Sequence, residues 1–405
     1  MALRIVQITK DWSPNGGVAT YTRDLAGELC AGGHEVSVVH ADPAAPPLGR
    51  GVREVLVAGF ADYASASDQA RAQVVLDSLA PLAPDVVHVQ GNNNFALEAG
   101  LRRLYATVKT LHTYDFCPAG GKFHFLSQRP CRHATSALCV PRMVYKRCLL
   151  SRRPSIIWSQ YRRVVDANAN NAAYAAVIVA SAHVRQQALA TGYPPQQVRV
   201  LPYFTIPPPM PPGPPERPGT ILFCGRIVPE KGLALLLRAL ARLDVSWRLI
   251  VAGDGFASRH AKRLADRLGL ADRVTFRGWA DRQTLRALYA EATVVVVPSL
   301  WPEPFGIVGI EAMAHARPVV AFAVGGIPEW MEDGVTGFLV RPYDLDALAD
   351  RLRACLESPA LARALGERGR ARVVAQFSAS QHLEGLIAIY QDLRRASMSG
   401  NRGRS

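Results

Sequence analysis

Short apolar runs alternate with amphipathic stretches along most of this 405-residue chain. The β-branched runs predict strands, and segments with apolar residues three and four apart predict helices between them. Strands are predicted at 3–9, 34–41, 85–90, 107–113, 175–181 and 198–203. The alternation restarts with strands predicted at 221–227, 247–253, 273–278, 292–299, 318–326 and 338–340. This order is typical of parallel sheets flanked by helices, so we expect an α/β fold with two doubly wound, Rossmann-like domains.

A proline-rich segment separates the two halves. Residues 206–219 read IPPPMPPGPPERPG, and because proline lacks a backbone donor we expect a semi-rigid linker here. The linker separates a predicted N-terminal domain at 1–205 from a predicted C-terminal domain at 220–378. A last helix is predicted at 379–397 and a disordered tail at 398–405. The last helix has an apolar face that we expect to pack on the N-terminal domain. That face is formed by Leu383, Leu386, Ile387 and Tyr390.

Positive charge is concentrated in one part of the chain. The net charge is +14, and between Ala99 and Val165 thirteen Lys or Arg residues stand against one acid, Asp115, which makes this segment +12. Such a segment suits an anionic membrane surface, an acidic glycan or a phosphorylated acceptor, although it is also what a solvated surface looks like. No helix-turn-helix, zinc-finger or RNP pattern accompanies the charge, so nucleic acid is not expected as a partner.

Two features of composition indicate the compartment. The N-terminus reads as a first strand and not as a signal peptide, and no apolar run approaches the roughly 18 residues of a membrane span. The odd number of cysteines, seven, favours reduced thiols. We therefore expect a cytoplasmic protein, with peripheral association at the inner face of a membrane as an option. A structural zinc is a minor alternative to unligated thiols for the four cysteines of the basic segment, Cys117, Cys131, Cys139 and Cys148.

Two motifs at strand ends suit a bound anion. Gly16 and Gly17 follow the first strand and open a helix, where free amides favour negative charge, although such glycines also simply make turns. In CGRIVPEKG, Arg226 and Lys231 flank a tight turn after a buried strand. A bidentate Arg and a point-charge Lys suit a diphosphate, whereas a lysine near a helix start is otherwise unfavourably placed.

The segment WPEPFGIVGIEAMA places Glu303 and Glu311 eight residues apart after an apolar strand. Pro304 suits a first helical position, so we expect a helix to begin there and to offer four free amides to a phosphate. These are the amides of Phe305, Gly306, Ile307 and Val308. At 1.5 Å per residue the two carboxylates are separated by about 10 to 12 Å, the scale of a sugar nucleotide. One can accept hydrogen bonds from the transferred sugar and the other from the ribose diol.

Together with VAGDG and ARPVVAFAVGGIPEW, these motifs resemble the retaining glycosyltransferases of family 4, which have the GT-B fold. The likeness is dense from about 221 to 342 and sparser in the N-terminal half. It implies that Arg226 and Lys231 bind the donor diphosphate, Glu303 the donor sugar and Glu311 the ribose. Gly16 and Gly17 would lie on the phosphate side of the cleft. His112 matches a position that reaches the reacting sugar, although a strand-end histidine is more often structural.

The resemblance implies transfer of a hexose-type sugar from a UDP- or GDP-type donor with retention of configuration, in cell-envelope or exopolysaccharide synthesis. No cofactor or catalytic metal is expected, since the leaving diphosphate can accept the acceptor's proton while cations and helix amides offset its charge. The acceptor is expected to be a glycan or a lipid-linked hydroxyl. Alternatives are a nucleotide-sugar epimerase and a basic membrane- or nucleic-acid-binding protein without activity. A dehydrogenase is disfavoured because no GxGxxG follows an early strand.

Overall fold

The computed structural model describes residues 2–10, 12–13, 16–60, 69–91, 95–149, 151–169, 171–209, 213 and 218–401. The strands up to residue 200 are β1 (Arg4–Thr9), β2 (Glu35–His40), β3 (Arg53–Leu56), β4 (Val86–Val89), β5 (Thr107–Leu111), β6 (Phe123–His124), β7 (Arg129–Pro130), β8 (Ala176–Val179) and β9 (Val198–Val200). The later strands are β10 (Thr220–Cys224), β11 (Arg248–Ala252), β12 (Val274–Gly278), β13 (Val294–Val297), β14 (Val319–Phe322) and β15 (Gly337–Val340).

Helices occupy most of the connections between these strands. Those of the first half are α1 (Gly17–Ala31), α2 (Gln69–Leu79), α3 (Phe95–Leu104), α4 (Cys139–Tyr145), α5 (Pro154–Asn168) and α6 (Ala182–Leu189). Those of the second half are α7 (Leu233–Leu240), α8 (Ser258–Arg267), α9 (Arg282–Glu291), α10 (Ile307–Ala314), α11 (Ile327–Trp330), α12 (Leu345–Glu357), α13 (Pro359–Gln376) and α14 (Ala379–Asn401).

Two parallel sheets confirm the predicted fold class. The first has the order β3-β2-β1-β4-β5-β8-β9 and the second the order β12-β11-β10-β13-β14-β15. In both, the first strand in sequence lies inside the sheet, and the strand order reverses on either side of it. Ligands of such folds bind at this switch point, beyond the carboxyl ends of the strands. The short pair β6–β7 is antiparallel and separate from both sheets.

Burial explains why the apolar runs predicted the strands well. Every residue of β4, β5, β8, β13 and β14 is buried, as expected for parallel strands covered by helices on both faces. All twelve predicted strands are present. The sequence analysis missed β3, because this edge strand carries Arg53 and Glu54 and is exposed at both ends, so it lacks a continuous apolar run.

The last helix, α14, packs against elements of the first half of the chain. Leu386 and Tyr390 are fully buried, and Tyr390 lies 2.5 Å from Nδ1 of His88 on β4. On the same helix, Nε2 of His382 accepts a hydrogen bond from Tyr21 of α1 at 2.8 Å. The helix continues to Asn401, whereas a disordered tail was predicted from residue 398. No proline follows its apolar face to stop it. Residues 402–405 lie outside the described residues.

The predicted linker is described only in part, since 210–212 and 214–217 lie outside the described residues. Its described carbonyl groups accept hydrogen bonds from arginines of the second half: Pro208 from Arg370 at 2.7 Å and Gly213 from Arg317 at 2.8 Å. Across the part of the chain that the structure describes, no helix combines the length and the apolar character needed to cross a membrane.

Candidate active site

Two helix N-termini face each other across the space between the sheets. Gly16 precedes α1 and Gly306 precedes α10, both at positive φ (96° and 97°), and in neither described cap does a side chain accept from the helix amides. A β-carbon on Gly17 would lie 3.8 Å from Cδ1 of Ile307, so the two helix starts are close neighbours. Amides without side-chain caps and two converging dipoles favour an anion here.

The structure corrects the predicted start of the second of these helices. We expected it to begin at Pro304, but α10 begins at Ile307. The left-handed conformation of Gly306 breaks the helix geometry, and the carbonyl of buried Phe305 instead accepts from the Trp330 indole at 2.6 Å. Phe305 is therefore core, and the amides of Ile307 and Val308 are the ones at the helix start.

Lys231 and Glu303 form the central charged contact of the site. Lys231 ends a 3-10 turn, Pro229–Lys231, and its Nζ lies 2.5 Å from Oε1 of Glu303, whose side chain is buried. Gly232, at a φ of 74°, makes this placement possible, because a β-carbon there would lie 1.8 Å from the carbonyl oxygen of Pro298. The carboxylate thus neutralises a lysine that is available to a diphosphate, and an incoming anion would compete for it.

Glu303 is held by a loop that the sequence analysis did not assign to the site. The amide of Gly326 donates to the carbonyl of Glu303 at 2.8 Å. A β-carbon on Gly325 would lie 2.2 Å from the same carbonyl oxygen, so only glycine allows this approach. The signal was present in the sequence, since the pair Gly325-Gly326 forms the end of a predicted strand, and it lies just beyond the observed strand β14.

The structure does not bring the second predicted cation to this contact. Arg226 follows β10 and is exposed, and among the described residues it forms no ion pair with Glu303. The amide next to it, of Ile227, donates to the carbonyl of Asp254 at 2.8 Å, which ties the loop after β10 to the loop after β11.

Glu311 lies in the second turn of α10. Its Oε2 accepts a hydrogen bond from the Tyr289 hydroxyl of α9 at 2.9 Å. Burial raises the pKa of the Glu311 carboxyl, and the bond from Tyr289 and the charge of Arg282 lower it in part. Tyr289 was not predicted, because its contact with Glu311 spans 22 residues and its helix position looks like ordinary core.

His112 stands just after β5 with both ring nitrogens engaged. Nε2 donates to Oε1 of Gln90 at 2.8 Å, and Nδ1 accepts from the Tyr203 hydroxyl at 2.6 Å. Burial lowers the pKa of His112 to about 4, so the ring is neutral near pH 7. Gln90 and Tyr203 were not predicted, although a glutamine ending a buried strand beside the switch point was a usable signal.

Several contacts join the two halves around the site. Arg282 of α9 forms a bidentate pair with Asp24 of α1, with one bond of 2.8 Å. The backbone amides of Ala182 and His183 donate to the Glu329 carboxylate at 2.7 and 2.9 Å. The Tyr114 hydroxyl donates to the carbonyl of Pro302 at 2.5 Å. The last of these contacts holds the segment that carries Glu303 against the first half of the chain.

The four cysteines of the basic segment, Cys117, Cys131, Cys139 and Cys148, line one small cavity together with Phe123 and Met143. Burial raises the pKa of Cys148 to about 12. Within the described ranges, no three or more His, Cys, Asp or Glu side chains are arranged to hold a metal ion. None of the four is joined in a disulfide in this structure, and zinc binding by them stays a prediction.

Known proteins place the chain in a family. The model of glycosyltransferase family 4 matches residues 15–204 and that of the glycosyl transferases group 1 matches 210–372. A D-inositol 3-phosphate glycosyltransferase of Mycolicibacterium paratuberculosis is 42% identical over 188 residues, 45% of this chain and 42% of the relative. The chain thus matches less than half the length of this curated relative.

Solved structures of other proteins superimpose on nearly the whole of this chain. Sucrose-phosphate synthase of Thermosynechococcus elongatus superimposes with a TM-score of 0.73 and 25% identity, covering 97% of this chain and 99% of that one. HepE of Anabaena, solved with UDP and glucose, superimposes with a TM-score of 0.69 and 20% identity over 98% and 100% of the chains. The two family models together span both sheets, and the structural neighbours share the two-domain architecture. The chain belongs to the family 4 glycosyltransferases, with the GT-B fold.

Proposed function

We propose that this protein transfers a hexose-type sugar from a nucleoside-diphosphate sugar to a hydroxyl of a glycan or lipid-linked acceptor, with retention of configuration. The observation that carries the proposal is the pairing of Lys231 with Glu303 beside two opposed helix N-termini. A diphosphate needs cations and free amides. A sugar needs, next to them, a group that accepts hydrogen bonds from its hydroxyls. The reaction would serve cell-envelope or exopolysaccharide synthesis.

The donor assignments follow from the resemblance to family 4, and the positions of Lys231, Glu303 and Glu311 are compatible with them. Lys231, with Arg226 swinging in from the surface, binds the diphosphate, and Glu303 accepts hydrogen bonds from the transferred sugar. Glu311, farther along α10, accepts from the ribose diol. Gly16 and Gly17 let the start of α1 approach the phosphates. A UDP-type donor is favoured because HepE was solved with UDP and glucose, and a GDP-type donor is the second choice.

The chemistry requires charge stabilisation more than a protein base. As the glycosidic bond to the diphosphate breaks, negative charge grows on the leaving oxygen, where Lys231 and the amides at the start of α10 offset it. The acceptor hydroxyl attacks from the same face and its proton passes to the leaving diphosphate. His112 does not need to take that proton, since both of its nitrogens are already engaged.

Product analysis tests the reaction class. Incubation with UDP-glucose or its GDP analogue and a mixture of acceptor glycans should yield free nucleoside diphosphate and an α-linked product from an α-linked donor, followed by proton NMR. An epimerase would instead convert the sugar nucleotide without acceptor. Release of an altered sugar nucleotide, or a β-linked product, would contradict the proposal.

We also propose that the basic segment holds the enzyme at an anionic membrane that carries the acceptor. Eight of its cations are exposed: Arg103, Arg129, Arg132, Lys146, Arg147, Arg152, Arg153 and Arg162. Exposed apolar side chains lie among them, including Tyr145 (74% exposed), Trp158 (54%) and Leu126 (62%). Cations interleaved with aromatic and aliphatic side chains suit the headgroup region of a bilayer.

Liposome sedimentation tests this surface. Changing Arg147, Arg152, Arg153 and Arg162 together to Ser should weaken binding to anionic vesicles at least about tenfold at low salt, since each cation contributes roughly 1 kcal/mol. High salt should weaken the wild type similarly. The control removes four exposed cations from α8: Arg259, Lys262, Arg263 and Arg267. Equal losses in the two variants, or equal binding of the wild type to neutral vesicles, would leave a soluble acceptor as the better interpretation.

A further inference from the structure

A chain of buried hydrogen bonds runs from the C-terminal helix to His112. The Tyr390 hydroxyl on α14 lies 2.5 Å from Nδ1 of His88, and Nε2 of His88 lies 2.7 Å from the Thr110 hydroxyl. Nε2 of Gln90 lies 3.2 Å from the same Nδ1 of His88. Oε1 of Gln90 accepts a hydrogen bond from Nε2 of His112. The hydrogen-bonded side chains that lie on β4 and β5, or just after these strands, are almost completely buried.

The donors and acceptors of these hydrogen bonds determine one tautomer for His112. The Gln90 amide nitrogen can only donate, so Nδ1 of His88 accepts. The Gln90 oxygen can only accept, so Nε2 of His112 carries a proton. Nδ1 of His112 then accepts from the Tyr203 hydroxyl, and this ring leaves neither nitrogen free for the reacting groups.

Tyr203 extends the arrangement into the second half of the chain. Its ring stacks on His112 at 5.7 Å between centroids and meets the ring of Phe305 edge-on at 5.8 Å. Phe305 directly precedes Gly306, the cap of α10. The imidazole of His112 is therefore held between the first sheet and the loop that leads to the proposed phosphate site.

We propose that Gln90 is a positioning residue, which accepts from Nε2–H of His112 and so fixes the orientation and the tautomer of that ring. This inference rests on the proposed function, because it assigns His112 to the edge of the donor-sugar site. Gln90 acts only through His112. A ring locked in this way presents a constant, neutral surface to the sugar and takes no part in proton transfer.

Several groups face His112 and determine how it titrates: Tyr21 of α1, Tyr203 after β9, Gln90 after β4, Asp115 and His88. Among the described residues, Asp115 is the one whose charge favours the protonated ring, and burial outweighs its effect on the pKa of His112. A carboxylate in place of the Gln90 amide would face Nε2–H directly and favour the imidazolium.

The test combines NMR of ¹⁵N-histidine-labelled full-length protein with kinetics. In the wild type, His112 should remain the neutral Nε2–H tautomer from about pH 5.5 to 8. Gln90→Glu should make the His112 signal titrate within that window and should make kcat depend on pH there. Gln90→Leu should lower kcat about 10- to 100-fold, the scale of a misplaced group, with the donor KM changed less than about threefold.

Tyr390→Phe is the matched control, because it removes a buried hydrogen bond at the far end of the same chain. It should leave the His112 tautomer and kcat unchanged. An equal loss of kcat in Tyr390→Phe and Gln90→Leu would mean general loosening and would overturn the positioning role. A wild-type His112 protonated on Nδ1 would overturn it as well. Because the tautomer is read without substrate, this outcome is independent of whether the proposed reaction is correct.

Discussion

Replacing Lys231 by alanine is expected to reduce turnover by about two orders of magnitude or more, the scale of lost transition-state charge stabilisation. Lys231 is the cation that the structure holds at the site, 2.5 Å from Glu303 and 5.2 Å from the centre of the Trp301 ring. In the proposed reaction, its loss leaves the growing charge of the leaving diphosphate to the helix amides and to Arg226. Steady-state kinetics with the donor identified by product analysis provide the measurement.

A loss of activity in this variant has a second possible cause, since it leaves the buried Glu303 carboxylate without its partner. The double variant Lys231→Ala/Glu303→Ala separates the two causes, because it removes the uncompensated charge together with the lysine. We expect it to recover thermal stability but no activity. Near-native turnover in a folded Lys231→Ala protein would refute the diphosphate assignment. Arg226→Ala should also lower turnover by about two orders of magnitude if its exposed side chain closes on the donor.

The sequence predicted most of the fold because its local and global signals agree. Strand β13 consists of four valines, all buried, and such a run between helices has few other interpretations. The glycine pair after β1 was predicted to open a helix, and Gly16 is the cap of α1 at a positive φ. The start of α10 was misplaced because Pro304 fits a first helical position as well as it fits the loop that the structure shows.

The partners of the site residues were the part that the sequence could not give. Lys231 and Glu303 are 72 residues apart, and His112 and Tyr203 are 91 residues apart. Pattern analysis identifies residues at strand ends, but the pairing of their side chains depends on how loops from different strands pack. The exposure of Arg226 could not be predicted for a similar reason, because the motif indicates a cation but does not determine the rotamer of its side chain.

Glu311→Gln should lower the affinity for free nucleoside diphosphate by about tenfold or more, the scale of hydrogen bonds to a charged group. Glu303→Gln should instead lower kcat by at least about tenfold while changing that affinity less than about threefold, because its carboxylate is assigned to the sugar. Isothermal titration with UDP, and with GDP as the comparison, measures the nucleotide affinity of both variants. Steady-state kinetics measure their kcat. Equal loss of nucleotide binding in the two variants would contradict this division.

The pH dependence of binding sharpens the test of Glu311. In the proposed assignment the ribose diol donates to the carboxylate form of Glu311, so we expect nucleotide affinity to be present above the pKa of Glu311 and to be lost as pH falls through it. Because burial raises that pKa, the loss should occur at less acidic pH than for an ordinary glutamate. Tyr289→Phe removes a donor to the carboxylate and should move the loss to still higher pH, whereas Glu311→Gln should abolish it. A wild-type affinity that is constant down to the pH of unfolding would show that Glu311 does not contact the nucleotide.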